Sequence, residues 1–460
     1  MEQSIEFDEN LIKRYNQSGP RYTSYPTALQ FEESFTIVDY QQAVVRSNDS
    51  GRNLSLYFHI PFCDTICFFC ACNKVWTRDR SKTKPYLSHL FQEIALQSQL
   101  YDQNRQVDQL HWGGGTPTFL SMDEMQQLME KTRQYFQLYE DDRGEYSIEI
   151  DPREATRESV LLLRALGFNR MSLGVQDFDP KVQKAVNRIQ TQQETFTVLE
   201  AAREAGFLSI NVDLIYGLPF QTEDSFLKTL ERVLQAEPDR FSIFNYAHMP
   251  SMFPAQKRMN AADMPTPDEK LRILHSTTER LLEAGYVYIG MDHFAKPDDE
   301  LAVAQRNGTL YRNFQGYSTH AACDLVGMGA TSISLVDNTY AQNYKPLEEY
   351  YAAIEAGQLA IWRGVQLTKD DELRRAVITQ LICHFQLDFF EIEQAWKIVF
   401  KEYFQDALVK LRSMQEDGLL ELSEKGLKVT PKGRLLIRNI CMPFDAYLQS
   451  GMQNRFSKVI

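Results

Sequence analysis

The sequence predicts an α/β fold: a partial, TIM-like (β/α) barrel with an N-terminal arm before it and a mainly helical, winged-helix-like module after it. Three observations predict it. Seven strand-like runs recur between residues 54 and 291 with helix-like stretches between them, and such alternation implies a parallel sheet with right-handed crossovers. Almost every run ends in a polar or turn-forming residue. After Thr368 the alternation stops and helices followed by a short hairpin take over.

The first forty residues lack strong periodicity. Gly19-Pro20-Arg21-Tyr22-Thr23-Ser24-Tyr25-Pro26 is punctuated by Gly and Pro, which reads as an arm or ordered loop. The strand-like runs are 54–60, 107–112, 145–150, 170–175, 209–216, 240–246 and 286–291, with helical stretches over 82–101, 121–136 and 223–235 among those between them. Six or seven such units favour a barrel or partial barrel over an open doubly wound sheet. The runs end at Cys63, Gly113-Gly114-Gly115, Asp151-Pro152, Gln176-Asp177, Gly217-Leu218-Pro219, His248-Met249-Pro250 and Asp292-His293. In α/β barrels the strands' carboxyl ends carry the chemistry, so these ends point to one functional rim.

Beyond Thr368, helices are expected over 369–386 and 391–417, then a hairpin of 418–422 and 426–430 and a last helix from Pro431. The organisation expected is an arm over 1–45, a barrel domain over 46–365 and a helical domain over 366–460. Residues 424–460 hold seven Lys/Arg against two Asp/Glu, a weak basic patch. Inside an enzyme such a module is more often a structural cap than a DNA reader.

The chain of 460 residues has a formal net charge of −13, 43% hydrophobic and 24% charged residues, and seven cysteines. These values suit a globular chain able to bury its own core. The acidic balance disfavours broad nucleic-acid or anionic-membrane binding. An odd cysteine number argues against a secreted disulfide framework. Residues 1–16 are too charged for a signal-peptide core, and no run of about 18 apolar residues occurs, so a cytoplasmic protein without a membrane span is expected.

Four of the seven cysteines lie within ten residues, Cys63-Asp-Thr-Ile-Cys67-Phe-Phe-Cys70-Ala-Cys72, directly after a strand-like run. A structural zinc site needs four ligands, commonly two separated pairs, and the next cysteine is Cys323. A redox pair of Cys67 and Cys70 would leave Cys63 and Cys72 unexplained. An iron–sulfur cluster is the natural user of several close thiolates. Spacing alone does not decide between Cys70 and Cys72.

The Cys63-x3-Cys67-x2-Cys70 spacing resembles the signature of the radical S-adenosylmethionine (SAM) superfamily. The ordered set Tyr57-Phe-His59-Ile-Pro-Phe-Cys63, Gly113-Gly-Gly-Thr116-Pro-Thr, Gly174-Val-Gln176-Asp-Phe and Asp213-Leu-Ile-Tyr-Gly-Leu-Pro219 is more specific. Together with the arm and Lys432-Gly-Arg-Leu-Leu-Ile-Arg438, it is similar to the oxygen-independent coproporphyrinogen III oxidase (coproporphyrinogen III dehydrogenase) family over essentially the whole chain.

The resemblance implies a [4Fe–4S] cluster on Cys63, Cys67 and Cys70, with the fourth iron taking SAM. It implies that reductive cleavage of SAM gives a 5′-deoxyadenosyl radical, and that two propionates of coproporphyrinogen III become vinyl groups, yielding protoporphyrinogen IX for haem biosynthesis. It also implies two SAM molecules. Tyr57, Gly114, Glu149 and Ile333 match positions around the first; Phe69, Gly115, Thr116, Gln176, Arg188, Asp213 and Ala247 match positions around the second. The glycine run is expected to bring backbone close to a ligand.

The substrate carries four carboxylates, so basic groups must meet it locally. Arg21 is the candidate, with Tyr22 beside it as flat apolar surface. His59 and Cys72 are candidates for assisting the chemistry. The expected partners are a flavodoxin- or ferredoxin-like electron donor and an unspecified electron acceptor; nucleic acid is not expected, and a monomer is. The competing reading is a haem-binding chaperone of the same superfamily. Such relatives typically lack the Arg21-to-Pro26 arm and have an aromatic residue in place of Cys72.

Overall fold

The computed structural model describes residues 5–448, 456 and 458. The chain divides into two compact units, one of Phe31–Thr266 and Ala322–Gln366, the other of Met1–Gln30, Pro267–Ala321 and Leu367–Ile460.

The first unit is built on strands β1 (Leu54–Ile60), β2 (Gln106–Gly114), β3 (Glu145–Ile150), β4 (Arg170–Gln176), β5 (Ser209–Tyr216) and β6 (Arg240–Asn245). Each pairs in parallel with its predecessor. Sequential parallel neighbours without a reversal of order are the winding of a barrel wall, whereas a doubly wound sheet turns back on its first strand. A seventh parallel strand, β7 (Asp324–Met328), joins the other side of β1. Antiparallel strands β8 (Ile333–Val336), β9 (Thr339–Asn343) and β10 (Ile361–Gln366) extend the sheet from there. The strand expected over 286–291 forms at Val287–Gly290, but its place in the parallel run is a correction: it belongs to the second unit and pairs antiparallel with His293–Ala295.

Helices α1 (Thr83–Ser98), α2 (Met122–Tyr135), α3 (Arg157–Ala165), α4 (Gln192–Ala205) and α5 (Glu223–Leu234) fill the crossovers. Their starts are written locally. Ser121, Thr156, Thr191 and Thr222 each accept from the third helical amide while that residue's side chain returns to the cap amide, which satisfies two otherwise orphaned donors. Gly206 ends α4 in the left-handed region. The side chains of β1 to β6 split by alternation. One face buries Phe58, Trp112, Ile148, Leu173 and Val212 completely, with Trp112 set edge-on against Phe58 and Phe168 at 6.5 and 4.8 Å between ring centroids. The other face is polar and carries the site.

In the second unit, residues 369–384 are helical as expected, but the helix expected over 391–417 is three pieces: Phe389–Trp396, Phe400–Tyr403 and Gln405–Glu416. Lys397 in the left-handed region at φ 54° ends the first piece. The hairpin strands Leu420–Leu422 and Gly426–Val429 pair with each other, and Gln386–Asp388 adds a third strand, giving the winged-helix-like arrangement. The arm is strapped to this unit. Buried Arg438 donates to the carbonyls of Gly19 and Pro20, the Tyr22 hydroxyl donates to Asp445 at 3.0 Å, and the Ala446 amide donates to the Tyr25 hydroxyl at 2.9 Å.

Candidate active site

The cysteine loop leaves β1 and returns on itself. Phe62–Cys63 pairs in parallel with Val75–Trp76, and the Val75 and Thr77 amides donate to the Pro61 and Cys63 carbonyls at 2.7 and 2.9 Å. The loop so closed is anchored to the segment after β4: the Phe68 amide donates to the Val186 carbonyl, and the Asn187 side chain to the Ile66 carbonyl. Each sulfur has distinct surroundings. The Thr116 hydroxyl lies 3.5 Å from Cys63 Sγ. Cys67 is buried, with Arg188 Nη1 at 3.4 Å and Arg153 Nη2 at 3.7 Å from its Sγ. The Cys72 thiol donates to Cys70, and with the nearby Lys74 charge this holds the Cys70 thiol below its ordinary value. Cys72 itself is exposed. Burial pushes the Cys63 thiol up to about 12.

The glycine run meets protein rather than open space. A Cβ on Gly114, which sits at φ +111°, would lie 2.5 Å from the His59 ring, and one on Gly115 would lie 2.6 Å from the Pro61 backbone. The run therefore locks β2 against the exit of β1. Gly115 and Thr116 amides donate to the Ile60 and Phe62 carbonyls, and the Gly114 amide donates to Glu149 at 3.0 Å.

His59 is buried and engaged at both nitrogens. Nε2 lies 2.9 Å from the Asn73 carbonyl, which can only accept, so Nε2 carries the proton and Nδ1 accepts from the Tyr57 hydroxyl at 3.0 Å. Burial holds its ring below the ordinary value, so it is neutral at pH 7. The Tyr57 ring stacks on His111 with centroids 5.8 Å apart.

Two carboxyls on this polar face differ in character. Partial burial pushes Glu149 up, but hydrogen bonds from His111 and the Gly114 amide outweigh it and leave the group below its ordinary value. Burial pushes Asp213 up to about 6, against donors on Ser172 and Asn211 at 3.0 and 2.7 Å. Register explains their nearness: Glu149 pairs with Ser172, and Gly174 with Asp213.

Some of the residues expected around each SAM are neighbours in the structure. Tyr57 pairs with Gly327, whose Cβ position would lie against the Ile333 backbone; Gly114 meets His59, the partner of Tyr57, and donates to Glu149. In the second set, Cβ positions on Gly174 would lie within 3.0 Å of both Gln176 and Arg188. Gln256 bridges the Phe69 and Ala247 carbonyls at 3.3 Å each. In the second unit, Arg21 is ion-paired with Asp292, and Tyr22 is buried against Asp445 rather than displayed as a flat surface. Sequence reasoning passed over Arg153, His111 and Gln256. Arg153 had one visible signal: it follows Asp151-Pro152, a strand end and helix start.

The residues fit a cluster and a donor-bearing ligand. Three thiols share one pinned loop. Gln176 Oε1 and Asn245 Oδ1, at the carboxyl ends of β4 and β6, are buried acceptors without a hydrogen-bond partner among the described residues, a state that costs free energy unless a donor arrives.

Comparison with known proteins agrees. The radical SAM superfamily profile matches residues 57–233 and that of the HemN C-terminal domain residues 367–436. The oxygen-independent coproporphyrinogen III oxidase of Pseudomonas aeruginosa is 55% identical over 99% of both chains. Its Escherichia coli K12 counterpart is 53% identical over 100% of this chain and 99% of its own. The chain belongs to the oxygen-independent coproporphyrinogen III oxidase family. The solved Escherichia coli coproporphyrinogen III oxidase, described as a radical SAM enzyme, superposes with a TM-score of 0.92 at 52% identity, covering 97% of this chain and 100% of that one. Membership brings the superfamily's [4Fe–4S] cluster and SAM. Among the described residues, no helix is long and apolar enough to cross a membrane.

Proposed function

We propose that this radical SAM oxidoreductase converts two propionate side chains of coproporphyrinogen III to vinyl groups without oxygen, giving protoporphyrinogen IX in porphyrin and haem biosynthesis. The observation that carries the reading is the loop of Cys63, Cys67 and Cys70 pinned at the carboxyl end of β1, beside the unpartnered acceptors of β4 and β6. When bound, the cluster and SAM supply the electron and the hydrogen-abstracting radical.

The chain's own residues position and shield. Cys63, Cys67 and Cys70 hold the cluster. Tyr57, Gly114, Glu149 and Ile333 surround the first SAM, and Phe69, Gly115, Thr116, Gln176, Arg188, Asp213 and Ala247 the second. The ionised Glu149 accepts from hydroxyls; Asp213, titrating near pH 6, either donates or accepts. Neutral His59 orients Tyr57 and ties the loop at Asn73. Cys72, exposed two residues beyond Cys70, assists the chemistry. The arm over residues 1–45 covers substrate, with Arg21 exchanging Asp292 for a substrate carboxylate. A flavodoxin- or ferredoxin-like protein delivers the electron, and a separate acceptor takes the last one. The protein works in the cytoplasm as a monomer.

Anaerobic reconstitution with iron, sulfide, SAM, dithionite, coproporphyrinogen III and an electron acceptor tests this. The expected products are 5′-deoxyadenosine and protoporphyrinogen IX. Stoichiometric haem binding without decarboxylation would replace the reading with a haem carrier.

A further inference from the structure

Cys67 differs from the other two thiols in the charge around it. Arg153 lies with Nη2 3.7 Å from its sulfur, and Arg188 with Nη1 at 3.4 Å. Both guanidiniums are held by one carboxylate. Arg153 forks onto Asp151 through Nε to Oδ1 at 3.0 Å and Nη2 to Oδ2 at 2.6 Å, while Arg188 Nη1 reaches the same Oδ2 at 2.9 Å and Nη2 the Gly174 carbonyl at 2.5 Å. Side-chain exposures are 14% for Arg153 and 9% for both Arg188 and Asp151.

Two cations and one anion leave a net positive charge in a nearly dry place. Such a charge is costly to bury without an anion beside it, and the Cys67 sulfur is the neighbour both guanidiniums share. The fork makes the geometry rigid, because a bidentate guanidinium–carboxylate pair fixes both planes. By contrast, Cys63 meets a neutral hydroxyl, and Cys70 has one cation beside it, the Lys74 ammonium, which also donates to the Cys70 and Cys72 carbonyls.

We propose that Arg153, anchored by Asp151, is a positioning residue that raises the reduction potential of the cluster through the Cys67 sulfur. Arg188 shares the contact but also lies in the second SAM set, whereas Arg153, held by Asp151, has no part in either SAM set. One electron entering from a low-potential donor protein adds one negative charge to the cluster and its thiolates. A fixed positive charge at one thiolate stabilises that product more than the oxidised form, since hydrogen bonds and charge at cluster sulfurs are among the determinants of potential.

The inference rests on Cys67 being a cluster ligand. The test is EPR-monitored potentiometry of the anaerobically reconstituted full chain, without substrate, for wild type, Arg153→Gln and Asp151→Asn. Removing Arg153 takes the local charge from positive to neutral, so the midpoint should fall. The expected change is about tenfold in the reduced-to-oxidised ratio at fixed potential, 59 mV for a one-electron couple. Removing the charge of Asp151 makes the site more positive, so the midpoint should rise. Opposite signs are a result that loosened packing would not produce. Equal midpoints, or shifts of the same sign, in variants with full iron content overturn the inference and leave the ligand assignment standing. A wild-type chain that assembles no cluster would defeat the ligand assignment itself, and the inference with it.

Discussion

Cys70 and Cys72 sit two residues apart; spacing alone does not rank them, and the family resemblance implies Cys70. Cys70 has its thiol held down by the Cys72 donor and the Lys74 charge, and Cys72 lies exposed. Cys70→Ala should therefore lose the cluster, with iron per chain dropping to background and the visible absorbance gone. Cys72→Ala should keep more than about half of the wild-type iron under the same reconstitution. Equal loss in both would assign Cys72 a ligand's place. A second residue-scale prediction concerns Asp213. Its carboxyl is raised from 3.8 to about 6 by burial, so between about pH 4 and pH 6 the native state holds a proton that the unfolded chain has released. Stability then falls as pH rises through that window, by no more than about 3 kcal/mol in total, and is flat above it. Urea midpoints of wild type and Asp213→Asn at pH 4.5 and 7 should diverge, the variant lacking this part of the slope. Parallel pH dependence would mean that Asp213 is ionised throughout.

At the scale of elements, β1 to β6 were readable because each is a run of apolar or alternating residues closed by a turn signal, and β2 to β5 lead to helices with capping boxes. The seventh strand was misplaced for a physical reason. Asp324–Met328 is short, contains Gly327 and is followed by Gly329, and it takes its place by pairing with β1, a strand more than 260 residues earlier in the chain; nothing local announces that. Val287–Gly290 has the better strand composition yet pairs only as a hairpin arm with His293–Ala295. The long helix expected over 391–417 failed at Lys397, a left-handed residue that no Gly or Pro marks. The glycine run was expected to bring backbone close to a ligand; what a side chain there would meet in the protein is His59 and the Pro61 backbone. Gly114→Ala combines a left-handed φ with a clash against a histidine held at both nitrogens, so it should destabilise by about 1–3 kcal/mol. Differential scanning calorimetry checks this. Because the change displaces His59, a hydrogen-exchange experiment should find the loop around Asn73 less protected as well; an unchanged loop would show that the glycine serves β2 alone.

For the whole molecule, the candidate site was legible where chemistry is concentrated in a motif and illegible where folding gathers single residues. Thiols in one loop announce themselves. Arg153, His111 and Gln256 are ordinary residue types whose neighbours come from other strands, and Arg188 alone would have read as a surface charge. The arm is the other case. Its sequence suggested a loop, but its tie to the terminal segment depends on Arg438, buried within a stretch that looked merely basic. Arg438 donates Nε to the Pro20 carbonyl at 2.9 Å and also meets the Gly19 carbonyl. Arg438→Met keeps much of the volume and removes the donors, leaving the Gly19, Pro20 and Lys458 carbonyls short of partners, a cost of about 2 kcal/mol. If that cost falls on local opening, amides of residues 16–26 should exchange roughly thirtyfold faster, while amides of β1 to β5 keep their protection. Since the arm carries Arg21, the same variant should raise KM for coproporphyrinogen III more than it lowers kcat. A fall in kcat at unchanged KM, with exchange in the arm unaltered, would separate the arm from substrate binding and leave Arg438 as a packing residue of the terminal module.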